Sequence, residues 1–138
     1  MSGNGDSAGL LDTSVVIQLK DLDPDDLPIN PEISAVTLAE LSVGPLVATS
    51  EEERSARQAI LQQAEVDFAP IPFDAAAARA FGRVAAALRR VGRKTSARSY
   101  DAMIAAIAIA NQLPLYTANP QDFEGIPELV VKAVVSHH

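Results

Sequence analysis

Short apolar runs alternate with longer amphipathic or alanine-rich segments along this chain, and turn-forming residues separate them. Gly9 to Leu11 is the first run and reads as a strand ending at Asp12; Thr13 to Leu19 follows as a helical turn or short helix. Asp21 to Pro31, rich in acids and prolines, reads as a loop. Ile33 to Val36 is expected to be a second strand, with a helix beginning after Thr37 and interrupted at Gly44-Pro45. Ser50 to Glu53 has the form of a capping box and opens a helix to about Glu65. Phe68 to Phe73 contains Pro70 and Pro72, so it is a short or irregular strand. Asp74 caps an alanine-rich helix to about Val91, and Gly92 to Ser96 breaks it. Tyr100 to Gln112 is helical and apolar on nearly every face, which predicts burial. Pro114 to Thr117 is the next strand, Asn119-Pro120 starts a helical turn, and Leu129 to Val135 is the last strand.

Short apolar strands alternating with helices predict an α/β fold whose parallel sheet is covered on both faces. In such sheets ligands bind beyond the carboxyl ends of the strands, so acids that follow strands are the first candidates for chemistry. The length of 138 residues fits one domain, expected over residues 9–136 behind a small polar tail, residues 1–8. His137 and His138 end the chain, as native residues or as the stub of a tag. They are its only histidines and cysteine is absent, which argues against thiol nucleophiles, zinc–thiolate sites, Ser-His-Asp triads and two-His metal motifs. If the protein is an enzyme, carboxylates must then do most of its chemistry. No apolar run approaches the roughly 20 residues of a membrane span, and the start lacks the features of a signal peptide; a soluble cytoplasmic protein is the expectation.

Charge changes this picture in one region. The net charge is −7, yet seven of the eleven basic residues fall between Arg79 and Arg98 with no acid among them. This stretch, with Arg83, Arg89, Arg90, Arg93, Lys94 and Arg98, is a candidate surface for a nucleic-acid backbone. The fourfold spacings Arg79–Arg83 and Arg89–Arg93 also suit a solvated helix face, and the same stripe could dock an acidic partner. With six aromatic side chains in all, base stacking cannot dominate recognition.

Four acids follow, or nearly follow, apolar segments of the βα pattern: Asp12, Glu40, Asp101 and Asp122. Each has a local explanation. Asp12 can cap the next helix, with Ser14 able to assist in either role, and Glu40 can close a capping box with Thr37. Asp101 can interact with a helix dipole and pair with Arg98 or a metal ion, and Asp122 can close a turn. Together they crowd one sheet edge. Two carboxylates about 4 Å apart repel by about 4 kcal/mol at an effective dielectric near 20, so such a cluster requires protons or divalent cations. An all-oxygen ligand set suits Mg²⁺ or Mn²⁺ rather than zinc.

Leu10-Leu11-Asp12-Thr13-Ser14, Thr37-x-Ala39-Glu40-Leu41-x-x-Gly44, Tyr100-Asp101-x-x-Ile104-Ala105-Ala106 and Thr117-x-Asn119-x-x-Asp122-Phe123 resemble, in order, the motifs of PIN-domain ribonucleases. More narrowly, they resemble those of the VapC toxins of bacterial VapBC toxin–antitoxin systems. The resemblance runs from about Leu10 to Val135. It implies a three-layer α/β/α domain with a central, mostly parallel sheet, and a Mg²⁺- or Mn²⁺-dependent endoribonuclease. By motif, Asp12, Glu40 and Asp101 become metal-binding catalytic acids. The fourth acid of the family aligns with Asn119 or Asp122, and Asp122 is preferred because an amide offers only a neutral oxygen. Ser14, Thr117 and Asn119 match supporting polar positions. The resemblance also implies a homodimer and a VapB antitoxin lying in the active-site groove, as a heterotetramer or larger complex. A non-catalytic PIN-like module that binds RNA or protein is the alternative. Asp12-Thr-Ser is also similar to the start of haloacid-dehalogenase phosphatases, but Ser14 stands where those enzymes need a second Asp.

Overall fold

The computed structural model describes residues 7–94 and 99–135. Four short strands form one parallel sheet: β1 (Ala8–Leu11), β2 (Asn30–Glu32), β3 (Leu115–Thr117) and β4 (Val131–Ala133), in the spatial order β2-β1-β3-β4. Leu10 lies opposite Leu115, and Leu11 opposite Tyr116. Alternation along the strands sends these pairs to opposite faces. Leu10 and Leu115 pack with α4 (Ala75–Arg90) and α5 (Ser99–Ala110); Leu11 and Tyr116 pack with α1 (Thr13–Ile17) and α3 (Glu51–Asp67). The result is three layers with a core on each side of the sheet. Helix α2 (Ala35–Val43) reaches both cores, with Val36 in one and Leu41 in the other.

Helix α5 is apolar all round because it is enclosed: Ala102 and Ile104 to Ala108 are all buried between the sheet and α4. Buried alanines on the facing helix, Ala77, Ala80 and Ala87, leave room for close approach. Asp74 caps α4 as the sequence implies, accepting from the Ala77 N–H at 3.0 Å. Ser50 caps α3 through the Glu53 N–H at 3.1 Å. The Glu53 carboxylate reaches the amide of Thr49 rather than that of Ser50, so the capping box closes one residue early.

The second strand differs from the expectation. It covers Asn30–Glu32, not Ile33 to Val36. Ser34 is the reason: its Oγ accepts the Thr37 N–H at 3.0 Å and starts α2 at Ala35. Thr37 is therefore a buried residue inside the helix, not its cap, and Glu40 lies in the second turn. Polar β2, with Pro31, is tolerated because it is an edge strand paired only to β1. The Phe68 to Phe73 segment joins no ladder; Ile71 makes a single parallel bridge to Ser34. No helix among the described residues is long and apolar enough to cross a membrane.

Close packing in the sheet makes one position intolerant of a side chain. A Cβ on Gly9 would stand 2.5 Å from Cε1 of Tyr116, whose ring is buried. Gly9→Ala is expected to cost about 1–3 kcal/mol through overpacking, read as a fall in thermal midpoint. An unchanged midpoint would show that the ring can move aside.

Candidate active site

Asp12 leaves the carboxyl end of β1 and is 5% exposed. It caps α1, with Oδ1 accepting the Val15 N–H at 3.3 Å. The same oxygen accepts from Ser14 Oγ at 2.5 Å, and Oδ2 accepts from Thr117 Oγ1 at 2.7 Å. Both hydroxyls are themselves fixed by backbone amides after β3. Ala118 N–H donates to Ser14 Oγ at 3.1 Å, and Asn119 N–H to Thr117 Oγ1 at 2.9 Å. Each hydroxyl thus spends its proton on Asp12. Capping and site-building are the same geometry here, not competing roles.

Glu40 reaches toward Asp12 from α2. Its Oε1 accepts from Thr13 Oγ1 at 2.6 Å, and Thr13 Oγ1 is also 3.1 Å from Thr37 Oγ1. Burial pushes the Asp12 carboxyl above its ordinary value, and the Ser14, Thr117 and backbone hydrogen bonds offset this only in part. Burial likewise raises Glu40; the nearby Asp12 charge adds to that, while the Thr13 hydrogen bond opposes it. The two carboxylates form an electrostatically coupled pair.

Asp101 lies in the first turn of α5 and Asp122 in the 3₁₀ turn Pro120–Phe123, both partly buried. A short turn joins α5 to β3, so α5 runs back along the sheet and begins, like the Asp122 turn, at the carboxyl edge. Among the described residues, however, no three His, Cys, Asp or Glu side chains are close enough together to hold one metal ion. The sheet edge therefore presents Asp12 with Glu40, and Asp101 and Asp122 on adjoining segments. A carboxylate pair without nitrogen or sulfur fits Mg²⁺ or Mn²⁺, which often bind through one or two carboxylates plus substrate phosphate. Two partners were missed in the sequence. Thr13 and Thr37 complete a hydroxyl ladder toward Glu40, and their only signal was their place within the quoted motifs.

The basic stretch divides. Arg83 pairs with Glu128, Nε to Oε2 at 2.9 Å. Arg93, half-buried, lies along the surface against backbone carbonyls, with Nη1 donating to Gln121 O at 3.2 Å and Glu124 O at 2.9 Å. Arg89, Arg90 and Lys94 are exposed, and Arg89, Arg93 and Lys94 line a surface hollow of about 530 Å³ with Phe81. Arg98, His137 and His138 lie outside the described residues. A second hollow of about 400 Å³ adjoins Glu40, with Ile17, Leu41 and Ile60 as apolar walls and Thr13 and Arg57 at its rim.

The family model for the PIN domain matches residues 9–129, which run from β1 through β3 and take in the Asp12, Glu40, Asp101 and Asp122 positions. The chain belongs to the PIN-domain family. Within it, the chain groups with VapC proteins. It is 37% identical over 123 residues to Ribonuclease VapC5 of Mycobacterium tuberculosis, an alignment covering 87% of this chain and 88% of that protein. Among solved structures it is similar to VapBC-5 of the same organism, a member of the VapBC family of toxin–antitoxin systems. There the TM-score is 0.81 and the identity 35%, over 93% of this chain and 99% of the other. VapBC-1 from nontypeable Haemophilus influenzae is also similar, with TM-score 0.70 and 25% identity over 91% and 97% of the two chains.

Proposed function

We propose that this protein is a divalent-cation-dependent endoribonuclease toxin of a VapBC system, held in check by a VapB-type antitoxin and acting in the cytoplasm. The observation that carries the reading is the buried Asp12 carboxylate, oriented by three donors and coupled to Glu40 at the sheet edge. The name of its relative, a VapC ribonuclease, supports it. Asp12 and Glu40 would hold Mg²⁺ or Mn²⁺, with Asp101 and Asp122 completing the acidic edge. The chemistry supplied by that cation, when bound, is acidification of the attacking water and neutralisation of charge on the phosphoryl oxygens. Ser14 and Thr117 aim the Asp12 carboxylate and favour its charged form against the effect of burial. Thr13 does the same for Glu40. Asn119 contributes through its backbone amide.

Exposed Arg89, Arg90 and Lys94 are the part of the basic stretch proposed to hold the RNA backbone; each phosphate contact adds roughly −0.7 to the slope of log affinity against log salt. Engagement of Arg83 with Glu128 makes it a weaker contributor. The apolar hollow beside Glu40 is the place proposed for the antitoxin, because a segment lying there would also cover the acids. A homodimer joined to antitoxin as a heterotetramer or larger complex completes the proposal.

The test is cleavage of total cellular RNA by purified, antitoxin-free protein with Mg²⁺ or Mn²⁺, with and without EDTA. Discrete fragments that vanish with EDTA are expected. Binding of RNA without cleavage under either metal would instead select the non-catalytic module.

A further inference from the structure

Helix α4 ends in a glycine turn that sends one member of the basic stretch back across the protein surface. Gly92, at φ +78°, lets its N–H donate to Arg89 O at 3.0 Å and the Arg93 N–H to Leu88 O at 2.9 Å, the paired bonds of a Schellman motif. The turn places Arg93 against the segment that follows β3. There its Nη1 donates to the carbonyls of Gln121 and Glu124, which bracket Asp122. Beside it, Val91 packs on Gly125: a Cβ at that glycine would stand 2.8 Å from Val91 Cγ2, and its φ of +90° disfavours any other residue. The gripped segment is continuous with the donors of the site. Asp122 N–H is bonded to Asn119 O at 3.0 Å, and the amides of Ala118 and Asn119 are those that turn Ser14 and Thr117 onto Asp12.

We propose that Arg93 is a positioning residue. By clamping the Gln121 and Glu124 carbonyls it holds residues 117–125 in the conformation that orients the Asp12 carboxylate, rather than contacting RNA phosphate. A guanidinium suits this task because charge-assisted bonds to carbonyls are stronger than neutral ones. The catalytic part of the inference rests on the ribonuclease reading; the clamp itself does not.

The experiment compares full-length, antitoxin-free wild type with Arg93→Ala and Gly125→Ala. The second variant presses on the adjoining Val91 contact of the same segment without altering charge. Three readouts are taken: amide hydrogen exchange over residues 117–125, binding of Mn²⁺ alone by titration calorimetry, and cleavage kinetics. Both variants are expected to speed exchange at Ala118, Asn119 and Asp122. Mn²⁺ binding should weaken about tenfold or more, as for loss of an outer partner of a metal ligand. In cleavage, kcat should fall with KM and the salt slope unchanged. Exchange unaltered in Arg93→Ala, or an effect confined to KM and the salt slope and absent in Gly125→Ala, would overturn the proposal in favour of a phosphate contact. If exchange and Mn²⁺ binding respond while the wild type cleaves no RNA, the clamp stands and the ribonuclease reading falls.

Discussion

Asp12→Asn protein, freed of antitoxin, is expected to cleave RNA at least about 1,000-fold more slowly than wild type, equivalent to about 4 kcal/mol of transition-state stabilisation. It is also expected to keep its fold. The substitution keeps an oxygen for the Val15 amide and removes a buried negative charge. It also sets an NH₂ group where Thr117 donates, so that hydroxyl must turn away and the site loses both charge and orientation. Initial rates in Mg²⁺ or Mn²⁺, with thermal unfolding run alongside, check this. A rate within tenfold of wild type would remove Asp12 from the catalytic centre.

Glu40→Gln is expected to move stability and cation response in opposite directions. Both Asp12 and Glu40 are held above their ordinary values by burial, so the native state keeps protons that the unfolded chain has lost. As pH rises from Glu40's unfolded value of about 4.5 through its higher folded value, the unfolded state binds fewer protons than the native one, and stability falls. In chelator, the cation-free wild type should therefore lose stability across that window, and Glu40→Gln should lose less of it. At neutral pH the variant should be the more stable of the two, read as a higher thermal midpoint. Saturating Mg²⁺ or Mn²⁺ should reverse the order. A ligand at 100 times its dissociation constant stabilises by about 2.7 kcal/mol, and the variant forfeits most of that gain. Melting curves at several pH values, with EDTA and with cation, measure both halves. A variant less stable than wild type in EDTA would show that the pair is not under mutual repulsion.

How far the sequence reaches is clearest in α2. The apolar run Ile33 to Val36 satisfied the pattern of a buried strand, and Thr37-x-x-Glu40 that of a capping box. Ser34 overrode both, because its hydroxyl caps the helix three residues earlier and leaves the polar Asn30–Glu32 to pair with β1. A short apolar run cannot by itself distinguish a strand from a helix start. The basic stretch shows a similar limit. Its spacing suggested one solvated stripe, yet Arg83 reaches Glu128 and Arg93 reaches the carbonyls of Gln121 and Glu124. Partners so distant in sequence leave no local pattern.

By itself the sequence determined the α/β alternation, the caps at Ser50 and Asp74, the buried α5 and the position of Asp12 directly after β1. These follow from periodicity, capping residues and turn chemistry, which act within a few positions along the chain. The tertiary structure alone decided the strand order β2-β1-β3-β4 and the meeting of Asp12 with Thr117. It also decided that Glu40 couples to Asp12, with Asp101 and Asp122 on adjoining segments rather than in one four-acid group. Strand pairing and helix packing brought those residues together. Such contacts depend on how whole layers bury their apolar faces, and no window of sequence contains that information.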